Sequence, residues 1–206
     1  MCDLIGKRRP RLVRSRAMAG VIAVLVTLAG GTACSNLPRP TPAPSAQSMV
    51  GSGARVVTMA KSIPVRVQIP AIGVDSVLMR LGALADGTME VPPVGFPAGW
   101  YSNAPTPGEL GPAILAGHVD WGGRPGVFYR LRDLKSGDEI TVDRQDGSVA
   151  VFRVTRVEQF PKNDFPTGLV YGDIDHAGLR VITCGGAFDR RARSYESNIV
   201  VFADLV

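Results

Sequence analysis

Apolar and polar residues alternate along Ile-Pro-Val-Arg-Val-Gln-Ile-Pro at 63–70, the period of a strand with one buried face. Ile-Gly-Val-Asp-Ser-Val-Leu at 72–78 gives a second short strand after a turn. Residues 81–86 have the length of one helical turn, Asp86 and Gly87 mark a reversal, and Met-Glu-Val at 89–91 is a strand stub before two prolines. Residues 95–112, dense in Gly, Pro and Asn, read as loop. Ala-Ile-Leu-Ala-Gly at 113–117 has no polar member, the composition of a strand covered on both faces. Residues 128–131 suggest a short helix. Strands at 138–142 and 150–157 flank a hairpin at Gln-Asp-Gly, 145–147. A long irregular connection over 160–177 leads to two last strands at 179–183 and 198–202. Many short strands, regular turn signals and few helical stretches predict a mainly β chain closed into a barrel.

The first 61 residues follow another pattern. Six basic residues between Lys7 and Arg16 precede an uncharged stretch over 17–33 that stands at the short limit of a bilayer span. A basic flank, an apolar stretch and small residues predict an export signal or membrane anchor over 1–36, with the basic side cytoplasmic. The run Gly-Gly-Thr-Ala-Cys at 30–34 also loosely fits a lipidation site at Cys34, although Gly31 stands where a branched apolar residue is usual. Residues 37–61, rich in Pro, Ser and Gly, predict a linker holding a domain at 62–206 off the membrane. The formal charge of +5 is accounted for by the six basic residues less Asp3, so the exported part is near neutral and gives no support to nucleic-acid binding.

Candidate chemistry centres on Leu-Arg-Val-Ile-Thr-Cys-Gly-Gly at 179–186. A β-branched strand ends in a thiol followed by two glycines, which leaves backbone N–H donors such as that of Gly185 beside it. That is an arrangement for nucleophilic attack on a carbonyl and for holding the oxyanion. Cys184 is the single cysteine of the predicted domain, and in an exported protein such a cysteine is a reactive thiol or an intermolecular bridge. Burial as a structural cysteine is the competing reading. Of the two histidines, His118 ends the matching run Ala-Ile-Leu-Ala-Gly-His at 113–118, whereas His176 lies among Asp173, Asp175 and Gly178 and reads as a solvated loop residue. Asp120 offers a carboxylate to orient an imidazole, and Trp121 a wall for a groove. No spacing supports a zinc site from His118, His176 and Cys184, no cluster of acids argues for calcium, and no metal or cofactor is expected.

Taken together, Ile-Pro-Ala-Ile-Gly at 69–73, Leu-Ala-Gly-His at 115–118, Phe-Tyr-Arg-Leu at 128–131, Leu-Lys-Ser-Gly-Asp at 134–138 and Thr-Cys at 183–184 resemble the sortases, membrane-anchored cysteine transpeptidases of Gram-positive bacteria. The run Cys-Gly-Gly-Ala-Phe-Asp at 184–189 looks like the actinobacterial classes labelled E and F. One departure is plain: the usual Thr-Leu-x-Thr-Cys reads Arg-Val-Ile-Thr-Cys here. The resemblance implies a barrel of about eight strands with Cys184, His118 and an arginine at one end. In the family the arginine begins the final strand, where this chain has Ser197 and Asn198. Arg193 is the nearest arginine upstream, with Arg190 the alternative and Arg191 the third member of the loop. The resemblance further implies cleavage of a Leu-Pro-x-Thr-Gly-like C-terminal sorting signal through a thioacyl intermediate. Its acceptor would be a cell-wall precursor amine, a pilin lysine or water, and its place the outer face of the membrane. A non-catalytic lipoprotein or an inactive domain of the same fold, acting as a binding module, stays open as the alternative.

Overall fold

The computed structural model describes residues 57–206. The signal or anchor over 1–36, Cys34 and most of the expected linker lie outside the described residues. The strands are β1 (Pro64–Ile69), β2 (Val74–Leu81), β3 (Ala98–Tyr101), β4 (Gly111–Ala116), β5 (Asp120–Trp121), β6 (Arg124–Pro125), β7 (Glu139–Arg144), β8 (Val149–Pro161), β9 (Ala177–Asp189) and β10 (Ser194–Leu205), with one short helix, α1 (Thr167–Tyr171). Eight of them close a barrel in the order β1-β2-β3-β4-β9-β10-β8-β7, with β7 returning to β1. The remaining two, β5 and β6, form a small ribbon directly after His118. The pairs β2/β3 and β4/β9 are parallel and the rest antiparallel.

Closure makes two apolar layers from one wall. Along β4, Ala113 and Leu115 point into the barrel with Leu179, Val181, Ile199 and Val201, around Phe128 and Phe152. The alternate residues Ile114, Ala116, Ile182, Val200 and Phe202 face outward, where Leu81, Met89 and Val170 of α1 cover them. This double burial explains why β4 and the first half of β9 carry apolar residues on both faces. Each buried Leu, Ile or Phe in these layers contributes about 1.5–3 kcal/mol relative to exposure.

Several elements differ from the sequence expectation. The stretch 95–112 contains β3, whose Gly99 lies against Leu81 so closely that a Cβ would approach its Cδ1 to 2.4 Å. A strand that needs glycine for close packing has no propensity signal. Residues 81–86 end β2 and turn instead of forming a helical turn, and 89–91 contributes a single bridge between Ala83 and Met89. The helical turn expected at 128–131 is shifted to a 3₁₀ turn at Leu131–Asp133. The last two strands are longer than expected at both ends.

The end of the expected linker is seated on the barrel. Met59 N–H donates to Gly108 O at 2.7 Å, the Arg144 guanidinium donates to Ala60 O, and Ser62 N–H donates to Thr106 Oγ1 at 3.1 Å. Residues 59–61 therefore belong to the folded unit. This strap lies by the start of β4, whereas His118 lies past its other end.

Candidate active site

The site is built where β4 ends alongside the middle of β9, which runs on past Cys184 to Asp189 instead of stopping at the thiol. In the parallel ladder Ala116 faces Ile182. One residue on, Gly117 N–H donates to Ile182 O at 3.1 Å and Thr183 Oγ1 donates back to Gly117 O at 2.8 Å. Two residues past the last ladder pair stand His118 on one strand and Cys184 on the other. Cys184 shares the outward face with Ile182 and is fully buried. Its sulfur is disulfide-bonded. Nucleophilic chemistry at this position therefore belongs to the reduced thiol.

His118 is 2 % exposed and held from three sides. Its Nε2 lies 2.7 Å from Pro92 O. A carbonyl can only accept, so Nε2 carries a proton in this arrangement and Nδ1 is the nitrogen left for proton exchange. The Trp121 ring lies against the imidazole with centroids 4.8 Å apart. Behind it, Phe128 N–H donates to His118 O at 3.0 Å, and Gly126 packs so tightly that a Cβ there would meet His118 O at 2.4 Å. Asp120, a sequence candidate for orienting the imidazole, is instead engaged elsewhere: Tyr195 Oη donates to Asp120 Oδ2 at 2.5 Å.

The arginine question turns on the β9–β10 hairpin. Asn198 faces Cys184 and Ser197 faces Gly185, so neither begins the strand. Between Gly185 and Phe188 β9 has two residues where β10 has only Glu196, a bulge with Gly186 at φ 79°. Beyond it the hairpin runs on to Asp189 facing Ser194. Arg193 immediately precedes β10, in the left-handed region at φ 51°, a conformation a non-glycine residue seldom takes. The Asp189 carboxylate caps the turn by accepting the N–H groups of Arg191 and Ala192. Of the three loop arginines, Arg193 is the one that lines a cavity of about 630 Å³ shared with His118, Trp121, Phe188 and Tyr195. Gly185 is required by packing, since a Cβ would approach Ile199 Cγ1 to 2.6 Å.

Tyr195 and Phe188 carry no sequence signal of their own. Their rings meet edge to face at 5.1 Å. Burial, and then the hydrogen bond to Asp120, push the Tyr195 phenol up to about 12, so it remains a donor across the neutral range. His176 lies at the opposite end of β9, bonded to Asp175 and Asp204, and does not join the site.

The sortase-domain family model matches residues 67–206. No curated protein matches the chain in sequence. Among solved structures, sortase A from Corynebacterium diphtheriae is similar at 19% identity and a TM-score of 0.54, covering 71% of this chain and 62% of that one. The chain thus spans less than two thirds of that structure's length. A Clostridium perfringens sortase D5 transpeptidase is similar at 22% identity and 0.52, covering 70% and 79%. Sortase C-1 from Actinomyces oris is similar at 20% identity and 0.54, covering 69% and 74%. At these identities the likeness establishes the barrel and its topology.

Proposed function

This chain belongs to the sortase family, and on that premise we propose that it is a cysteine transpeptidase acting on a Leu-Pro-x-Thr-Gly-like sorting signal outside the cell membrane. The observation that carries the reading is the β4/β9 register, which brings His118 level with Cys184 while Arg193 lines the cavity His118 opens on.

In this mechanism the reduced Cys184 thiolate attacks the scissile carbonyl carbon. The Arg193 guanidinium holds the carbonyl oxygen as it becomes an oxyanion. The Gly185 N–H is a second candidate donor to that oxygen. The C–N bond breaks and protonated His118 gives its proton to the leaving amine, leaving a thioacyl enzyme. The incoming amine of a cell-wall precursor or pilin attacks that carbonyl, the C–S bond breaks, and His118 recovers the proton. Water in place of the amine gives hydrolysis.

The test uses the full chain with a thiol reductant and a fluorogenic sorting peptide, with and without an amine acceptor. Cleavage in wild type, a trapped thioacyl adduct on Cys184, and loss of both in Cys184→Ala with folding intact are expected. Cleavage retained in Cys184→Ala refutes the mechanism. A thiol that labels readily while no peptide is cleaved favours the binding-module alternative.

A further inference from the structure

Each arginine and histidine of the site rides on a piece of structure too small to fix itself. Arg193 sits at the tip of the hairpin beyond the Gly186 bulge, where only Tyr195 facing Phe188 and Ser194 facing Asp189 remain paired. His118 leads into the β5–β6 ribbon, which has two pairs, Asp120 with Pro125 and Trp121 with Arg124. A two-stranded ribbon of this size is marginal in water. Contacts outside each ribbon must therefore set their mutual orientation.

One such contact joins them directly. Tyr195 follows Arg193 by two residues and Asp120 follows His118 by two. The phenol donates to the carboxylate at 2.5 Å, across the cavity both residues line. Each end is braced: Phe188 packs on the Tyr195 ring, and Trp121, next to Asp120, packs on the His118 ring. On its other flank the hairpin is held by Lys162 Nζ, which donates to Ser194 Oγ at 2.9 Å. We propose that Tyr195 and Asp120 are a positioning pair whose hydrogen bond locks the arginine-bearing hairpin against the histidine-bearing ribbon. Neither acts on substrate; the bond sets the separation of His118 and Arg193 across the bound carbonyl. A phenol–carboxylate bond is charge-assisted and stronger than a neutral one, which suits a link that carries this geometry. The inference rests on the transpeptidase reading for its kinetic consequence, and on geometry alone for its structural one.

The experiment compares Tyr195→Phe, Asp120→Ala, the double variant and Asp120→Asn in the reduced full chain, by peptide-cleavage kinetics and by the ¹⁵N–¹H signal of Arg193 Nε, assigned with Arg193→Lys. Tyr195→Phe keeps the ring against Phe188 and removes only the donor. Each single variant should lower kcat roughly 10-fold, since sub-ångström misplacement of a positioned group costs that order, while KM for the peptide moves less than about twofold. The double variant should be no worse than either single one. Asp120→Asn, which keeps an acceptor oxygen, should recover most of the loss, and the Arg193 signal should shift or broaden in Tyr195→Phe. Losses that multiply in the double variant, or unchanged kcat in Tyr195→Phe, overturn the proposal. If wild type cleaves no sorting peptide, the transpeptidase reading falls and the Arg193 signal decides the pair alone: an unchanged signal in Tyr195→Phe overturns it, a shifted one supports it.

Discussion

Gly126 tests how firmly the fold holds the His118 imidazole. It touches no substrate and lies eight residues from His118 in sequence. A Cβ added there would sit 2.4 Å from His118 O, 2.8 Å from His118 C and 3.0 Å from His118 Cβ, where ordinary contact begins at 3.4 Å. The obstacle is mostly backbone, so no side-chain rotation relieves it. Gly126 N–H also donates to Val119 O at 2.9 Å, which fixes it from the same side. Relief requires the His118 backbone to move by about 1 Å, a displacement that at a reacting group costs on the order of 10²-fold in rate. The same crowding costs about 1–3 kcal/mol of stability. Gly126→Ala in the reduced full chain should thus lower kcat/KM for a sorting peptide by about 10²-fold, with a fall in Tm. Alkylation of the reduced Cys184 by iodoacetamide, followed in parallel, separates a misplaced histidine from a lost fold. A Gly126→Ala variant with kcat within twofold of wild type and an unchanged Tm would refute the claim that this backbone contact places His118.

Arg193→Ala should lower kcat by roughly 10²–10³-fold, the scale of one oxyanion donor, while Arg190→Ala and Arg191→Ala change it little; near-normal turnover in Arg193→Ala with loss in Arg190→Ala moves the role to Arg190. Arg144→Ala removes a buried guanidinium that donates to Ala60 O and to Ser148 Oγ, and should cost about 1–3 kcal/mol in urea unfolding. A fragment starting at 57 should be more stable than one starting at 63, because only the longer one keeps the Met59 and Ala60 contacts; equal Tm values would show that the strap adds nothing. The Tyr195 phenol titrates near 10 when unfolded and is pushed up to about 12 when folded. Its contribution is therefore fully present below pH 10 and is lost as pH rises through 12. Between those values Tm should fall more steeply in wild type than in Tyr195→Phe; parallel curves would remove the effect.

Much of the architecture was legible because its signals are local. Alternation marked β1 at 63–70, the Gln-Asp-Gly reversal marked the β7–β8 hairpin, and an unbroken apolar run marked β4. The thiol before two glycines and the histidine ending a matching run needed only chain order to be noticed. What stayed hidden depends on partners distant in sequence. β3 is a strand because Leu81 accepts Gly99 against it, not because of its own residues. Met59 and Ala60 look like stalk until Gly108 and Arg144 are brought beside them. Beyond the bulge the hairpin tip carries only one facing aromatic pair, Phe188 with Tyr195, too short a run for alternation to announce that β10 begins at Ser194. The sequence by itself thus settled a β-barrel with its Cys184 and His118 candidates, since strand period and residue chemistry are properties of short segments. That Arg193, already the arginine chosen from the sequence, lines a cavity with His118, that Asp120 accepts from Tyr195, and that Gly126 packs against the His118 backbone are visible only in the tertiary structure, because ladder register and steric contact exist only between segments that folding brings together.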